Sequence, residues 1–275
     1  MTGYLSTLRQ TLQTTPQKFL AAHPGCWVQY CDDTQTKDSK KALSSHSFNA
    51  TVARRKQLQG CGVFFSLQAF GKARTKEEVL SFRNLGVDVD LISPAERARC
   101  DVQEIDRRKE EYLAHYLLPF PLKPHWLIET RHGFHAIFRV MPQRVAAGIR
   151  EGIALNQQLV GALRGDEKAA LLTQVLRVPN TYQFKQPKQP FLCRLLVDNS
   201  STIAPYDFAA LRSVLDAWEV FHGTGPAQSP RDAGDQKQPH KLRDGLAGVP
   251  EGQRNATAAS ARMSWPVPLR DGVVW

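Results

Sequence analysis

No run of 18 uninterrupted apolar residues occurs in the chain, so no stretch of it can cross a bilayer as a single helix. The opening segment, MTGYLSTLRQTLQTTPQKF, also lacks the basic start and apolar centre of a secretory leader. Both absences point to the cytoplasm and away from a membrane. The five cysteines, Cys26, Cys31, Cys61, Cys100 and Cys193, contain no C-x-x-C pair, whereas a structural zinc site usually shows two such pairs. Free thiols are expected, with Cys26 and Cys31 as the one pair close enough to form half of a metal site. The phosphate-cradling pattern G-x-x-x-x-G-K-[ST] is missing, which excludes a built-in helicase motor of that type. No internal repeat is present. Acidic residues are also in short supply: 26 Asp and Glu face 36 Lys and Arg, a formal charge of +10. Such a surface attracts polyanions, nucleic acid first among them.

What is present suffices for a core. Of 275 residues 42% are hydrophobic, enough for one large domain with an appendage. Residues 1–222 carry the periodic, apolar-rich segments. Residues 223–240 hold Gly, Pro, Gln, Ser, Asp and Lys with almost no large apolar side chain, so a flexible linker is expected there. Residues 241–275 are too few for an independent domain.

Within the first part, Tyr4, Leu5, Leu8 and Leu12 recur at helical spacing, and Thr15-Pro16 reads as a cap and first-turn proline before Phe19 and Leu20. Asp32 to Ser47 is polar and reads as a loop or ragged helix. Gly60 to Leu67 reads as a strand, Gly71 to Glu78 as a basic turn, and Leu85 to Ile92 as a second strand adjacent to the first. Ser93 to Leu117 has the spacing of a solvated amphipathic helix. Pro124 to Thr130 and Phe134 to Val140 flank Arg131-His132-Gly133 as a hairpin. Pro142 to Leu163 is a helix with Val145, Ile149, Ile153, Val160 and Leu163 inward, ended by Gly165. Phe191 to Val197 is a strand, and Tyr206 to Phe221 a last helix with Phe208, Leu211, Leu215 and Trp218 inward.

The chemistry concentrates in four places. Asp88 and Asp90 are one residue apart on a strand, so both carboxylates leave one face while Val87, Val89 and Leu91 leave the other. Carboxylates that close repel unless a cation neutralises them, and two charges in so apolar a strand need a ligand. The same pattern at an exposed strand end carries no such meaning. Thr130, Arg131, His132 and His135 crowd the hairpin turn, where backbone N–H groups with His and Arg could hold phosphate; the bland alternative is a set of core or surface side chains. Asp166 follows Gly165 at a helix end. Arg177 and Lys185 stand on either side of the rigid turn Pro179-Asn180-Thr181, suited to triphosphate or template backbone, or else to solvent. Upstream, Arg54, Arg55, Lys56, Lys72, Arg74 and Lys76 form a basic run that could line a template path.

Taken in order, GVFFSLQ, LGVDVD, ETRHGFH, the Gly-Asp pair and LRVPNTYQFK resemble the archaeo-eukaryotic primase superfamily, in particular the RepB-like primase-polymerases of plasmids and phages, over roughly Trp27 to Asp198. Leu246-Ala-Gly-Val-Pro-Glu-Gly-Gln-Arg-Asn resembles the start of the helical module that often follows such domains, so 241–275 is expected to be a truncated primase C-terminal segment. The resemblance implies an α+β fold: an RRM-like antiparallel or mixed sheet as catalytic core, an N-terminal α/β part and flanking helices. It implies Asp88, Asp90 and Asp166 as ligands of two Mg²⁺ or Mn²⁺ ions, with Glu167 a substitute for Asp166. It implies His135, with Thr130 and Arg131, on the phosphates of a nucleoside triphosphate, and Arg177 and Lys185 near nucleotide or template. Where relatives often have Pro-Gly-Thr, this chain has Pro179-Asn180-Thr181; Asn tolerates positive φ, so the turn is expected to survive.

The function expected from these readings is primer synthesis on single-stranded DNA, with DNA polymerisation as an extension of it and a separate replicative helicase as a partner. Two other classes are open. One is a nucleic-acid-binding relic without catalysis. The other is a replication-initiator nuclease, with His132 and His135 on a metal and a tyrosine attacking DNA; its usual His pair has one intervening residue, and this one has two.

Overall fold

The computed structural model describes residues 3–10, 14–34, 43–97 and 99–222. The expected linker at 223–240 and the segment 241–275 lie outside the described residues. In chain order the elements are α1 (Tyr4–Arg9), α2 (Pro16–Ala21), β1 (Val28–Asp32), β2 (Leu43–Ser45), α3 (Ala50–Leu58), β3 (Cys61–Ser66), β4 (Ala69–Phe70) and β5 (Val79–Asp90). There follow α4 (Val102–Tyr112), β6 (Trp126–Glu129), β7 (Gly133–Gln143), α5 (Ala146–Ala162), β8 (Val175–Arg177), β9 (Tyr182–Gln183), β10 (Phe191–Leu192), β11 (Arg194–Asp198) and α6 (Phe208–His222). Short-range chemistry sets several boundaries. Thr15 accepts the Lys18 N–H at 3.1 Å with Pro16 in the first turn of α2, and Asp101 caps α4 by accepting from the Glu104 N–H at 2.8 Å.

The strands form two principal sheets, of order β2-β1-β3-β8 and β11-β6-β7-β5-β4, and every strand pair in them is antiparallel. In the second sheet β5, β6, β7 and β11 are joined through α4 and α5, but β8, β9 and β10 intervene before β11, and β11 pairs with β6 instead of lying beside β5 as the last strand of an RRM-like unit would. The expected α+β class with flanking helices is what the structure has.

Alternation along the strands splits the core in two. Leu85, Val87 and Val89 of β5 and Phe134, Ala136 and Phe138 of β7 face the helices, in a cluster that includes Leu155 and Leu159 of α5 and Leu211 and Leu215 of α6. Trp126, Ile128, Ile137 and Leu195 face the other way, onto Val28, Tyr30, Val63 and Phe65 of the first sheet. Each of these large side chains contributes roughly 1.5–3 kcal/mol by leaving water. A charge at Val87, which is completely buried, would break the helix-packed layer.

The sequence-based elements need five corrections. The stretch expected to be a loop or ragged helix contains the strand β2, which pairs with β1, a strand the sequence reading does not include. β3 and the Asp-bearing strand β5 are not neighbours; they lie in different sheets, and β5 pairs instead with β4 and β7. β5 also begins at Val79, earlier than the apolar run suggests, because Ser81 and Asn84 are buried. The helix expected over 93–117 starts only at Val102, and it is not solvated all along its polar side: Lys109 is fully buried. In α5, Val145 is the exposed residue before the first turn, and the residue that leaves the helix with positive φ is Arg164 (φ 52°), not Gly165. Gly165 is small for another reason: a Cβ there would press on Val87 and lie 3.1 Å from the Asp88 carbonyl.

Candidate active site

Asp88 and Asp90 reach the same face of β5 because a strand alternates, and the β5–β7 register then sets Asp88 opposite His135 and Asp90 opposite Gly133. Only glycine fits at 133, since a Cβ would overlap the Val89 carbonyl oxygen. The two carboxylates open on a cavity of about 300 Å³. Its walls come from both sheets: β5, His135 of β7 and the turn residues Thr130 and His132 on one side, Phe64, Val175 and Arg177 of β3 and β8 on the other. Asp33, Gln174, Gln183 and the exposed Lys185 complete it.

The hydrogen bonds around His135 assign its tautomer. The Arg177 backbone N–H donates to Nδ1 at 3.3 Å, so in the neutral ring Nε2 carries the hydrogen, and Nε2 lies 3.3 Å from Asp88 Oδ1. Burial pushes the Asp88 carboxyl up, but His135, followed by Lys185 and Arg177, more than offsets it and holds the group below the ordinary carboxylate value. Asp90 goes the other way. Burial raises it, and neither the Arg97 guanidinium 2.6 Å from its Oδ2 nor Lys185 fully offsets that. The pair is therefore asymmetric. His132 is buried and held neutral, its pKa pushed down to about 4 by burial and then by Arg97 and Arg131, and its Nε2 has no partner among the described residues.

Arg177 lines the cavity with its charge already matched. Its guanidinium forms a two-pronged pair with Asp33 at 2.7 and 2.9 Å and lies 4.5 Å from the centre of the Phe64 ring. The Phe184 amide also donates to Asp33, at 3.0 Å. This cluster needs Gly62, where a Cβ would stand 2.6 Å from both an Arg177 nitrogen and an Asp33 oxygen. Asn180 has φ 57°, so the Pro179-Asn180-Thr181 turn keeps the left-handed residue that glycine would otherwise supply.

Other expected residues stand elsewhere. Asp166 does not line the cavity: its carboxylate accepts from the Lys168 N–H at 3.0 Å, capping the short turn Glu167–Ala170, while its own N–H donates to the Asp88 carbonyl at 2.7 Å. Glu167 is exposed on that turn. Arg131 contributes its backbone N–H to Gln183 Oε1 at 3.2 Å, and its guanidinium lies 5.8 Å from the Phe191 ring centre, not on the cavity. Arg74 is half-buried and tied to the Thr173 carbonyl and to Gln29, unlike Arg54, Arg55, Lys72 and Lys76, which are exposed. Cys26 is buried and Cys31 half-buried, both as free thiols. Among the described residues no three His, Cys, Asp or Glu gather as a ready-made metal cage. What Asp88 and Asp90 offer is a pair of oxygen donors beside open space, a set that fits a hard divalent cation completed by phosphate oxygens and water.

Sequence reasoning missed Asp33, Phe64, Gln174 and Gln183. Asp33 falls in the stretch that reads as a polar loop or ragged helix, with no strand expected before it, and nothing local points from it to Arg177.

No family model matches the sequence, and neither does any curated protein. Among solved structures, the chain is similar to the AEP domain of the cyanophage S-2L primase-polymerase, with a TM-score of 0.49 and 14% identity over 72% of this chain and 94% of that one. It is similar to primase RepB′, with a TM-score of 0.42 and 17% identity over 75% of this chain and 60% of the other. The catalytic domain of primase RepB′ in complex with initiator DNA gives a TM-score of 0.40 and 15% identity over 75% and 91%. Among the described residues no helix is long and apolar enough to cross a membrane.

Proposed function

We propose that the chain is a template-directed nucleotidyltransferase that synthesises primers on single-stranded DNA from nucleoside triphosphates, in the replication of a plasmid or phage. The observation that carries this reading is the cross-strand trio Asp88, Asp90 and His135 on the wall of one cavity with Lys185. Mg²⁺ or Mn²⁺, when bound, would lower the pKa of the attacking 3′-hydroxyl and offset the charge of the triphosphate. Asp88 and Asp90 are the residues that would hold it. The low pKa of Asp88 keeps this ligand ionised, and Arg97 stands by Asp90 as the counter-charge that a cation would replace. His135 carries an N–H at Nε2 that faces Asp88 Oδ1 at 3.3 Å and would turn to a phosphate oxygen once a cation takes that carboxylate, and the Arg177 amide keeps the proton from moving to Nδ1. Lys185 adds an exposed positive charge at the same cavity. Asp166 serves through its amide, which fixes the backbone of Asp88; to act as a third ligand it would have to give up its cap on Lys168.

The nuclease reading loses ground because, among the described residues, no tyrosine lines the cavity where His132 and His135 sit. The test is primer synthesis on single-stranded templates with labelled ribo- and deoxynucleotides in Mg²⁺ and in Mn²⁺. Incorporation that disappears in Asp88→Ala and Asp90→Ala while both variants stay folded supports the assignment. Near-normal synthesis by either variant overturns it, and single-stranded DNA binding without incorporation by the parent favours the relic.

A further inference from the structure

The proposed mechanism leaves one group of buried charges unused. Lys109 of α4 and Glu129 of β6 are both fully buried and joined at 2.7 Å. Arg9 of α1 grips both oxygens of Glu129 and, with two further bonds of 2.7 Å, Asp106 of α4; Arg194 of β11 stands 3.4 Å from Glu129. Holding such a cluster out of water is costly, and well-packed apolar side chains of the same volume are often as stable. Stability alone therefore does not account for it.

The Lys109 Nζ makes a second bond of 2.7 Å, to the backbone carbonyl of Thr130, the first residue of the turn that joins β6 to β7. Thr130 and His132 line the cavity, and the strand leaving this turn carries His135. The turn's backbone is held from three separate elements: Lys109 on the Thr130 carbonyl, Gln183 on the Arg131 N–H at 3.2 Å, and the Leu91 N–H on the His132 carbonyl at 2.9 Å. The last two anchors sit on the cavity's own walls or beside them. Lys109 reaches from behind, and through Glu129 and Arg9 it is tied to the first helix of the chain.

We infer that Lys109, seated by Glu129 and Arg9, is a positioning residue that holds the Thr130–His132 turn in register for a bound nucleoside triphosphate. This rests on the nucleotidyltransferase reading of the same cavity. The turn's groups favour a bound triphosphate only while they are held in place beforehand, so a turn released on one side should weaken the nucleotide complex well before the fold.

The decisive variant is Lys109→Met, since Arg9 and Arg194 still neutralise Glu129 while the Thr130 carbonyl loses its donor. Titration of the full chain with a fluorescent deoxyadenosine triphosphate in Mn²⁺, together with primer-extension kinetics, should show the dissociation constant and KM raised about tenfold. Single-stranded DNA binding and kcat should stay within about twofold, and Lys109→Arg should recover part of the loss. If Lys109→Met does not fold, Arg9→Ala carries the test from the half-exposed end of the cluster, with a smaller rise in KM and the same constant kcat expected. Parent-like KM in the folded variants, or equal losses in nucleotide and DNA binding, overturns the inference. A parent that binds no nucleotide overturns the nucleotidyltransferase reading, and this inference with it.

Discussion

Replacing Asp33 by Ala puts a number on how much of the cavity wall depends on one carboxylate. The Asp33 and Arg177 side chains are only 6% and 5% exposed, so the variant strands a guanidinium that cannot lose its charge. Removing one partner of a buried pair costs roughly 3–5 kcal/mol, and the Phe184 amide loses its acceptor for about 1 kcal/mol more. In a domain of this size each kcal/mol moves Tm by about 2–4 °C, so a fall of roughly 8–24 °C is expected. Urea unfolding at neutral pH, followed by circular dichroism, measures the free energy directly. The double variant Asp33→Ala/Arg177→Met removes both charges and should recover most of the loss, which separates an unpaired charge from a simple cavity. A single variant within about 1 kcal/mol of the parent would refute the reasoning, because it would mean that Arg177 finds water or another partner at little cost.

Two further outcomes follow from the same kind of argument. His23 is almost completely buried among Phe19, Phe65 and Trp126, and burial lowers its pKa to about 4, so the unfolded chain binds more protons between pH 6.5 and 4 and stability should fall by about 3 kcal/mol as the solution is acidified through that window. His23→Phe should remove that share of the slope in pH-dependent urea titrations, and a variant with the parent's slope would assign the loss elsewhere. If single-stranded DNA runs over α3, Arg54→Ala/Arg55→Ala should flatten the log-affinity against log-salt line by up to about 1.4, with little change in template preference; a line that overlays the parent's makes these two residues ordinary solvated side chains.

Features whose cause is local were legible in the sequence. The Thr15-Pro16 cap, the β6–β7 hairpin, the shared face of Asp88 and Asp90 and the left-handed Asn180 each follow from a few neighbouring residues. Long-range partners were hidden. Asp33 and Arg177 are 144 residues apart, and Asp33 stands at the edge of a polar stretch with no periodicity. Lys109 carries the charge expected of a solvated face, and only the arrival of Glu129 from another element makes its burial tolerable. Asp166 was named from its place in a motif, but a carboxylate just before a helical turn is drawn to the free N–H groups there. The neighbourhood of β5 was misjudged because β3 precedes it closely in sequence, whereas its main partner, β7, arrives after α4 and β6.

The β3–β8 pairing has a consequence for the order in which the molecule can be made. A growing chain that has reached the end of α5 already holds β5, β6 and β7, so the Asp88–His135 pair can form while synthesis continues. It lacks β8, and until Arg177 has emerged the imidazole has no amide at Nδ1 and Asp33 has no guanidinium to meet. Closure of that pairing spans more than a hundred residues of chain, the kind of contact that forms late. A chain stalled before Val175 would therefore expose two carboxylates with an imidazole free to take either tautomer. If the cavity takes a nucleoside triphosphate as proposed, ribosome-bound chains of increasing length should gain nucleotide binding in one step as β8 clears the exit tunnel, rather than in proportion to the length already made.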